Sequence, residues 1–362
     1  MANIEDTPYI PILAVRPAEM NALRELPERN KNLMLPAIQL RPWIGSNNFT
    51  NTIQKIKDVY GEERSIIANI DSDYNCSKYS VDGERNAISY FRELKNPTNG
   101  YENWCSFIEG NKRYIPCLQL GDITQFNIQL DYLSAFNRGL VIHLTSPTQI
   151  LSNAQLYALQ NVSRNNSILF IFDCGEISFR QDLNIMVAQW INFASQVATI
   201  IPNCKMSFSS TSFPHSFSDI PSYLGIKERQ LYEVAFATAQ QQEWSLVYSD
   251  RGSARMHRPR GGGGVPYPRI DYPTNNKWFF FRSEDQDGNY KPVALATTKS
   301  GIWNPELKIW GTQMIERTAQ GDEFAITSPV KATAARINIH LHQQLFHDNP
   351  ENLLETDDEW VD

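Results

Sequence analysis

"WSLVYSDRGSARMHRPRGGGGVPYPRI", Trp244 to Ile270, joins a short apolar run to five arginines and four consecutive glycines. Whether Trp244–Asp250 is a buried strand decides the fold, because seven runs of the same kind precede it. They are "YIPILAV" (Tyr9–Val15), "LMLPAIQL" (Leu33–Leu40), "SIIANI" (Ser65–Ile70), "RYIPCLQL" (Arg113–Leu120), "GLVIHL" (Gly139–Leu144), "SILFIFD" (Ser167–Asp173) and "KMSFSST" (Lys205–Thr211). Most are nearly continuous in Ile, Leu, Val and Phe, as strands covered on both faces of a parallel sheet must be.

Stretches of helical spacing separate these runs: "PAEMNALREL", "NTIQKIKDVY", "ITQFNIQLDYLSAF", "SNAQLYALQNV", "QDLNIMVAQWINFASQVA" and "KERQLYEVAFATAQQQ". In the third, Ile123, Phe126, Leu130 and Leu133 recur at steps of three and four. Eight strand-helix repeats within positions 1–250 predict an α/β protein with a (β/α)8 TIM-like barrel. An open doubly wound sheet is the alternative, but "AVRPAE" after the first run lacks the glycines of its phosphate turn. Pro11, Pro36 and Pro116 lie within three of the runs and count against them as strands.

Beyond the barrel, 251–270 reads as an Arg/Gly-rich mobile loop. Positions 271–348 read as a C-terminal β-hairpin and helix extension, and 349–362 as an acidic tail. "KWFFFRSEDQDGNYKPVALATTKSGIW" predicts two strands turning at "EDQDGN". "SPVKATAARINIHLHQQLFH" predicts a helix with Ser328 as N-cap and Pro329 at N1.

The chain has 362 residues, is 41% hydrophobic and carries a formal net charge of −7, which suits a globular protein and disfavours a general polyanion binder. "MANIEDTPYIPILAV" lacks a basic segment before an apolar core, and no run reaches the roughly 20 apolar residues of a membrane span. A soluble, cytoplasmic protein that does not use a membrane is expected. Cys76, Cys105, Cys117, Cys174 and Cys204 have no metal-type spacing and read as reduced thiols.

In a barrel the C-terminal ends of the strands carry the function. Those ends are Arg16, Gln39, Arg41, Asp71, Asp73, Gln119, Asp122, Thr145, Asp173, Ser210 to Ser212, Asp250 and Arg251. Converging Asp71, Asp173 and Asp250 would supply general acid and base, or hold Mg²⁺ or another divalent cation for phosphoryl transfer or phosphodiester hydrolysis. An Asp after a strand equally suits a helix cap or a turn.

Arg16, Gln39, Arg251, Arg255, Arg258, Arg260 and Arg269 are candidates to bind an anion, a phosphate-containing ligand or nucleic acid. Gly261 to Gly264 would let the backbone close over it. The same segment also reads as a solvated connection to the extension. His143 suits a hydrogen-bonded core histidine better than a catalytic base. His340 and His342, two apart on a helix, face different ways and do not make a joint metal site.

"YIPILAVRPAEMNALREL", "LMLPAIQL", "SSTSFP" (Ser209–Pro214), "YSDRGSARMHRP" and "RIDYPTNNKWFFFR" together resemble the Beta protein family of phages, phage satellites and bacterial genomes. The resemblance implies a protein of mobile genetic elements, in some cases encoded in an anti-phage operon beside a toxic partner and a small regulator. It implies a lysine near the end of the first strand and an acidic residue at the end of the second, where this chain has Ala14 and Gln39. It implies no particular reaction. The expected role is phage defence or mobile-element conflict, sensing or regulating through a partner protein from the same operon or through an anionic ligand at the barrel mouth. A metal-assisted phosphoryl-transfer enzyme is one alternative. Another is a non-catalytic scaffold using Trp278, Phe279, Phe280, Phe281, Trp303 and Trp310 as an interface, although burial against the barrel is the commoner use of such residues.

Overall fold

The computed structural model describes residues 2–76, 86–178, 181–217, 220–255, 267–285 and 287–356. Arg258, Arg260, Gly261 to Gly264 and the last six residues of the acidic tail lie outside the described residues.

The eight apolar runs all form parallel strands. In chain order these are β1 (Tyr9–Ala14), β2 (Ala37–Leu40), β3 (Ile66–Ile70), β4 (Tyr114–Pro116), β5 (Leu140–Leu144), β6 (Ile168–Glu176) and β7 (Lys205–Thr211). The eighth run breaks at Val247 into β9 (Ser245–Leu246) and β10 (Tyr248–Asp250), while β8 (Tyr223–Gly225) belongs elsewhere. The pairing is that of two parallel sheets, β10-β1-β2-β3-β4 and β5-β6-β7-β9, in a mixed α/β fold. Pro36 precedes β2 and Pro116 ends β4, whereas Pro11 sits inside β1 opposite Asp250.

Hydrogen bonds also cross between the two sheets. A bridge joins Cys117 to Val141, and the Leu118 N–H donates to Val141 O at 2.9 Å. At the other end, Arg251 N–H donates to Ser210 O at 3.1 Å.

Alternation along the strands sorts side chains onto two buried faces. One face of both sheets shares a cluster of Ile10, Ile12, Ala37, Ile67, Ile115, Cys117, Val141, Leu169, Ile171 and Val247. The other face, with Tyr9, Leu13, Ile38, Phe170, Phe172, Phe208 and Tyr248, packs under the helices. Six of those helices occupy the stretches with helical spacing: Pro17–Arg24, Thr50–Tyr60, Phe126–Ser134, Asn153–Val162, Leu183–Ile200 and Lys227–Gln241. Burial on both faces explains why the runs are continuous rather than alternating.

The extension differs from its expected form at the hairpin. Its strands are β11 (Arg269–Pro273) and β12 (Lys277–Arg282), turning at 274–276 instead of at "EDQDGN", and β12 also pairs with β8. At "DGN", Asp287 and Asn289 side chains accept from the N–H groups of Asn289 and Lys291, which leads the chain into a helix, Lys291–Thr298, with Pro292 in its first turn. Local side-chain capping has won over strand continuation here. Helix Trp310–Gln320 follows, and a second core gathers Ile270, Tyr272, Val293, Leu307, Ile315 and Ile339.

The last helix, Pro329–Leu345, starts as expected: Ser328 accepts from the Lys331 N–H and Pro329 stands at N1. From Ala334 to Leu345 every residue is buried. A helix enclosed all round is ordinarily apolar, yet this one carries Arg336, Asn338, His340, His342, Gln343 and Gln344. Most of these polar groups are matched. Arg336 meets Asp271 and Ser253, and Asn338 binds Ala22 O and the Gly311 N–H. His342 lies 2.8 Å from Leu353 O, and Gln344 donates to Asn275 O. The helix thus ties the sheets to the extension by hydrogen bonds that tolerate few substitutes.

Candidate functional site

The three strand-end aspartates do not converge. Asp71 and Asp173 continue the alternation of Ile67 and Ile171, and so lie on the face of the shared cluster. Asp250 lies on the helix-covered face with Tyr9 and Tyr248.

Each is already occupied. Asp173 accepts from Arg251 Nη2, from His143 Nε2 at 3.0 Å and from the Gly175 N–H at 2.9 Å. Burial alone would raise its pKa, but the Arg251 guanidinium and His143 outweigh it and hold the carboxyl well below its usual range. Asp250 accepts from Tyr9 Oη (2.6 Å), Tyr248 Oη (2.8 Å), His340 Nε2 (2.8 Å) and the Gly252 N–H (2.7 Å). Its pKa is lowered too, burial being overcome by His340 and the hydroxyl of Tyr9. Asp71 pairs with Arg41 at 3.1 Å, and here burial wins and raises the pKa.

His143 is a hydrogen-bonded partner on both nitrogens. The Asn69 amide donates to Nδ1 at 2.8 Å, its orientation set by the Ile70 N–H donating to Asn69 Oδ1, so Nε2 carries the proton toward Asp173. His342 takes Asn30 and Leu353 as partners while His340 takes Asp250. Among the described residues no three His, Cys, Asp or Glu side chains are placed to hold a metal ion.

The ring of charge at the strand ends therefore largely neutralises itself: Arg251 with Asp173, Arg41 with Asp71, and Arg16 with Glu19 at 3.4 Å. The excess lies one layer further out. A cavity of about 520 Å³ opens between the segment after β1 (Arg16 to Glu19), Ala254 and Arg255, the start of β11, Tyr290 and the first turns of the last helix. Among the described residues its walls hold Arg16, Arg255, Arg269 and Arg336 against only Glu19 and Asp271.

The turn after β10 builds part of this wall. Gly252 (φ +56°) reverses the chain where a Cβ would fall 2.7 Å from Leu13 Cδ2. Ser253, also left-handed at φ 58°, then presents its carbonyl and hydroxyl to Arg336.

Asp271 is shared: Arg269 grips it through Nε (2.6 Å) and Nη2 (3.1 Å), and Arg336 Nη1 reaches it at 3.0 Å. Among the described residues Arg255 uses only Nε for a hydrogen bond, to Pro214 O at 2.9 Å. Burial, with repulsion from Arg269, lowers Arg255 to about 10, and burial lowers Arg336 to about 10 despite Asp271. Both remain cationic at neutral pH. Phe213 and Phe217, in the loop after β7, stack beneath the group, with Arg336 Cζ 3.6 Å from the Phe213 centroid and Arg269 Cζ 3.5 Å from that of Phe217.

Of the residues singled out in the sequence, Arg16, Arg255 and Arg269 meet at this cavity. Gln39 and Arg251 line a neighbouring cavity of about 30 Å³ with Asp71 and His143, which shares Arg16, Glu19, Ala254 and Arg255 as walls. Sequence reasoning missed Arg336, Asp271, Tyr267 and Tyr290. The available signal was Arg336 within "KATAARINIH", a charge in a helix otherwise rich in Ala and Ile.

Comparison with known proteins agrees with the resemblance read from the motifs. The sequence pattern of the family described as Beta protein matches residues 9–346. The chain is also similar to Protein beta of Enterobacteria phage P4, at 28% identity over 354 residues, covering 94% of each chain. No helix among the described residues is long and apolar enough to cross a membrane.

Proposed function

The chain belongs to the Beta protein family, and we propose that it acts in phage defence or mobile-element conflict by binding an anionic, phosphate-containing ligand at the mouth of a (β/α)8 barrel. The observation that carries this reading is the cavity of about 520 Å³ with four arginines and two carboxylates in its walls. Its volume falls in the range of small-molecule sites, roughly 300–1,000 Å³. Between a ligand and a partner protein as the immediate signal, the cavity favours the ligand, with a partner protein from the same operon as its receiver.

The closed barrel is part of the proposal. Supporting it are the eight parallel strands in sequential order and the hydrogen bonds of Leu118 and Arg251 between the two sheets. If the ring closes, the Leu118 and Arg251 amides sit inside a continuous ladder. Hydrogen exchange should then protect them as strongly as Ile38 or Phe170. Exchange at loop-like rates at either position would open the ring there.

A thermal-shift screen against nucleotides, sugar phosphates, short oligonucleotides and Mg²⁺ tests the ligand. A ligand at 100 times its Kd stabilises by about 2.7 kcal/mol, enough to raise the melting temperature by degrees. Arg255→Gln, which removes a side chain with few protein partners, should abolish the shift while leaving the unliganded melting temperature within about 1 kcal/mol equivalent. No shift with any phosphate compound would reject the cavity as an anion site.

A further inference from the structure

We propose that the cavity selects a dianionic phosphate monoester, carried by a sugar or nucleoside, over the phosphodiester backbone of a nucleic acid. The proposal rests on the anion-site reading above and narrows it to a ligand class.

Charge is the first argument. Among the described residues, the Arg16 and Glu19 pair cancels and Asp271 cancels one of Arg255, Arg269 and Arg336, which leaves two positive charges facing the cavity. A phosphate monoester carries about −1.5 to −2 at neutral pH. A phosphodiester link carries a single negative charge, so a dianionic head matches the cavity where one backbone phosphate does not.

Geometry is the second. Phe213 and Phe217 cover one face of the Arg336 and Arg269 guanidiniums, and Asp271 and Ser253 already hold the Arg336 edges and the Nε–Nη2 edge of Arg269, so recognition of a ligand falls chiefly to Arg255. An edge-on guanidinium fork pairs with two oxygens of one oxyanion. Asp271, held by the Arg269 fork and by Nη1 of Arg336, already shows this mode with a carboxylate. Arg255 faces the same space with both Nη groups without hydrogen-bond partners among the described residues.

Enclosure is the third. Among the described residues five stretches of chain wall the cavity, which suits a small molecule better than a continuing strand. Beyond the shared Arg16 and Arg255 wall, the smaller cavity is lined by Gln39, whose buried Nε2 has no hydrogen-bond partner among the described residues. An unmatched donor there suits a sugar hydroxyl, which can accept from it.

The test is calorimetric titration of the full chain, in a phosphate-free buffer, with AMP, ribose 5-phosphate, 3′,5′-cyclic AMP, adenosine and a short single-stranded oligonucleotide lacking terminal phosphates. AMP or ribose 5-phosphate should bind about tenfold or more tightly than the cyclic diester and the oligonucleotide, as expected when paired charge-assisted forks are lost. Adenosine should not register. The two monoesters separate a free sugar phosphate from a nucleotide as the source of the same head group. Arg255→Lys, which keeps the charge and loses the two Nη groups that have no hydrogen-bond partner among the described residues, should weaken monoester binding several-fold with the melting transition retained. Equal binding of monoester and diester, or full affinity in Arg255→Lys, would overturn the monoester proposal and leave the anion site standing. No binding by any phosphate compound to a cooperatively melting protein would overturn both.

Discussion

Asp250→Ala should cost roughly 3–5 kcal/mol of folding free energy, the range for breaking one member of a buried ionic cluster. Four donors converge on that carboxylate, and all four are enclosed: Tyr9 Oη, Tyr248 Oη, His340 Nε2 and the Gly252 N–H. Alanine leaves them facing one another without an acceptor, and the loss of each buried bond costs more than the bond contributes when made. Urea unfolding at neutral pH gives the value directly. The acid limb of stability should change with it. Asp250 and Asp173 both have lowered folded pKa values, so their contribution is complete above the ordinary carboxylate value of 3.8 and is lost as pH falls through the folded values. Removing Asp250 should flatten that acid loss. A wild-type-like urea midpoint in the variant would mean that the donors find other partners.

Asp173→Asn should destabilise by a comparable amount, about 3–5 kcal/mol, for a different reason. The amide is close in shape but no longer neutralises Arg251, a guanidinium held largely out of water, and its NH2 cannot accept from His143 or Arg251. The sequence also permits a catalytic or metal-binding role for this carboxylate, and the two roles give opposite readouts. With the ion pair as its function, Mg²⁺ should leave the melting temperatures of wild type and variant unchanged. A metal-dependent rise in the wild type that Asp173→Asn abolishes would restore the carboxylate to a catalytic role.

These two residues also show where sequence reading stops. The eight strands were legible because burial on both faces leaves unbroken apolar runs, and the helices between them because their spacing repeats every turn. Which side of a strand an aspartate takes was not legible. Val247, Ser249 and Arg251 alternate with Tyr248 and Asp250, but the sequence does not say which set meets the helices. The last helix was placed from Ser328 and Pro329, which act within one turn.

Its contacts were hidden for lack of any local signal. Arg336 meets Asp271 across 65 positions and Ser253 across 83. Arg255 and Arg269 of the Arg/Gly segment meet at the cavity, yet the carboxylate that Arg269 shares with Arg336 lies on a strand that the hairpin reading had placed too late. The capping of "DGN" is local and was available; it displaced the strand pairing expected across "EDQDGN", and "KWFFFR" pairs with "RIDYP" instead.

The buried final helix also imposes an order on synthesis. Asp250 leaves the ribosome 90 residues before His340, its partner. At elongation rates of about 5–20 residues per second, that interval is roughly 5–18 seconds. Through that time Asp250 lacks the fourth of its donors, and Ser253 O and Ala22 O lack the Arg336 and Asn338 groups that bond them in the finished fold. The finished fold is therefore reached only once the last helix has been translated, and a ribosome stalled within "ARINIHLH" would display a chain whose strands are complete but whose interior is still wet.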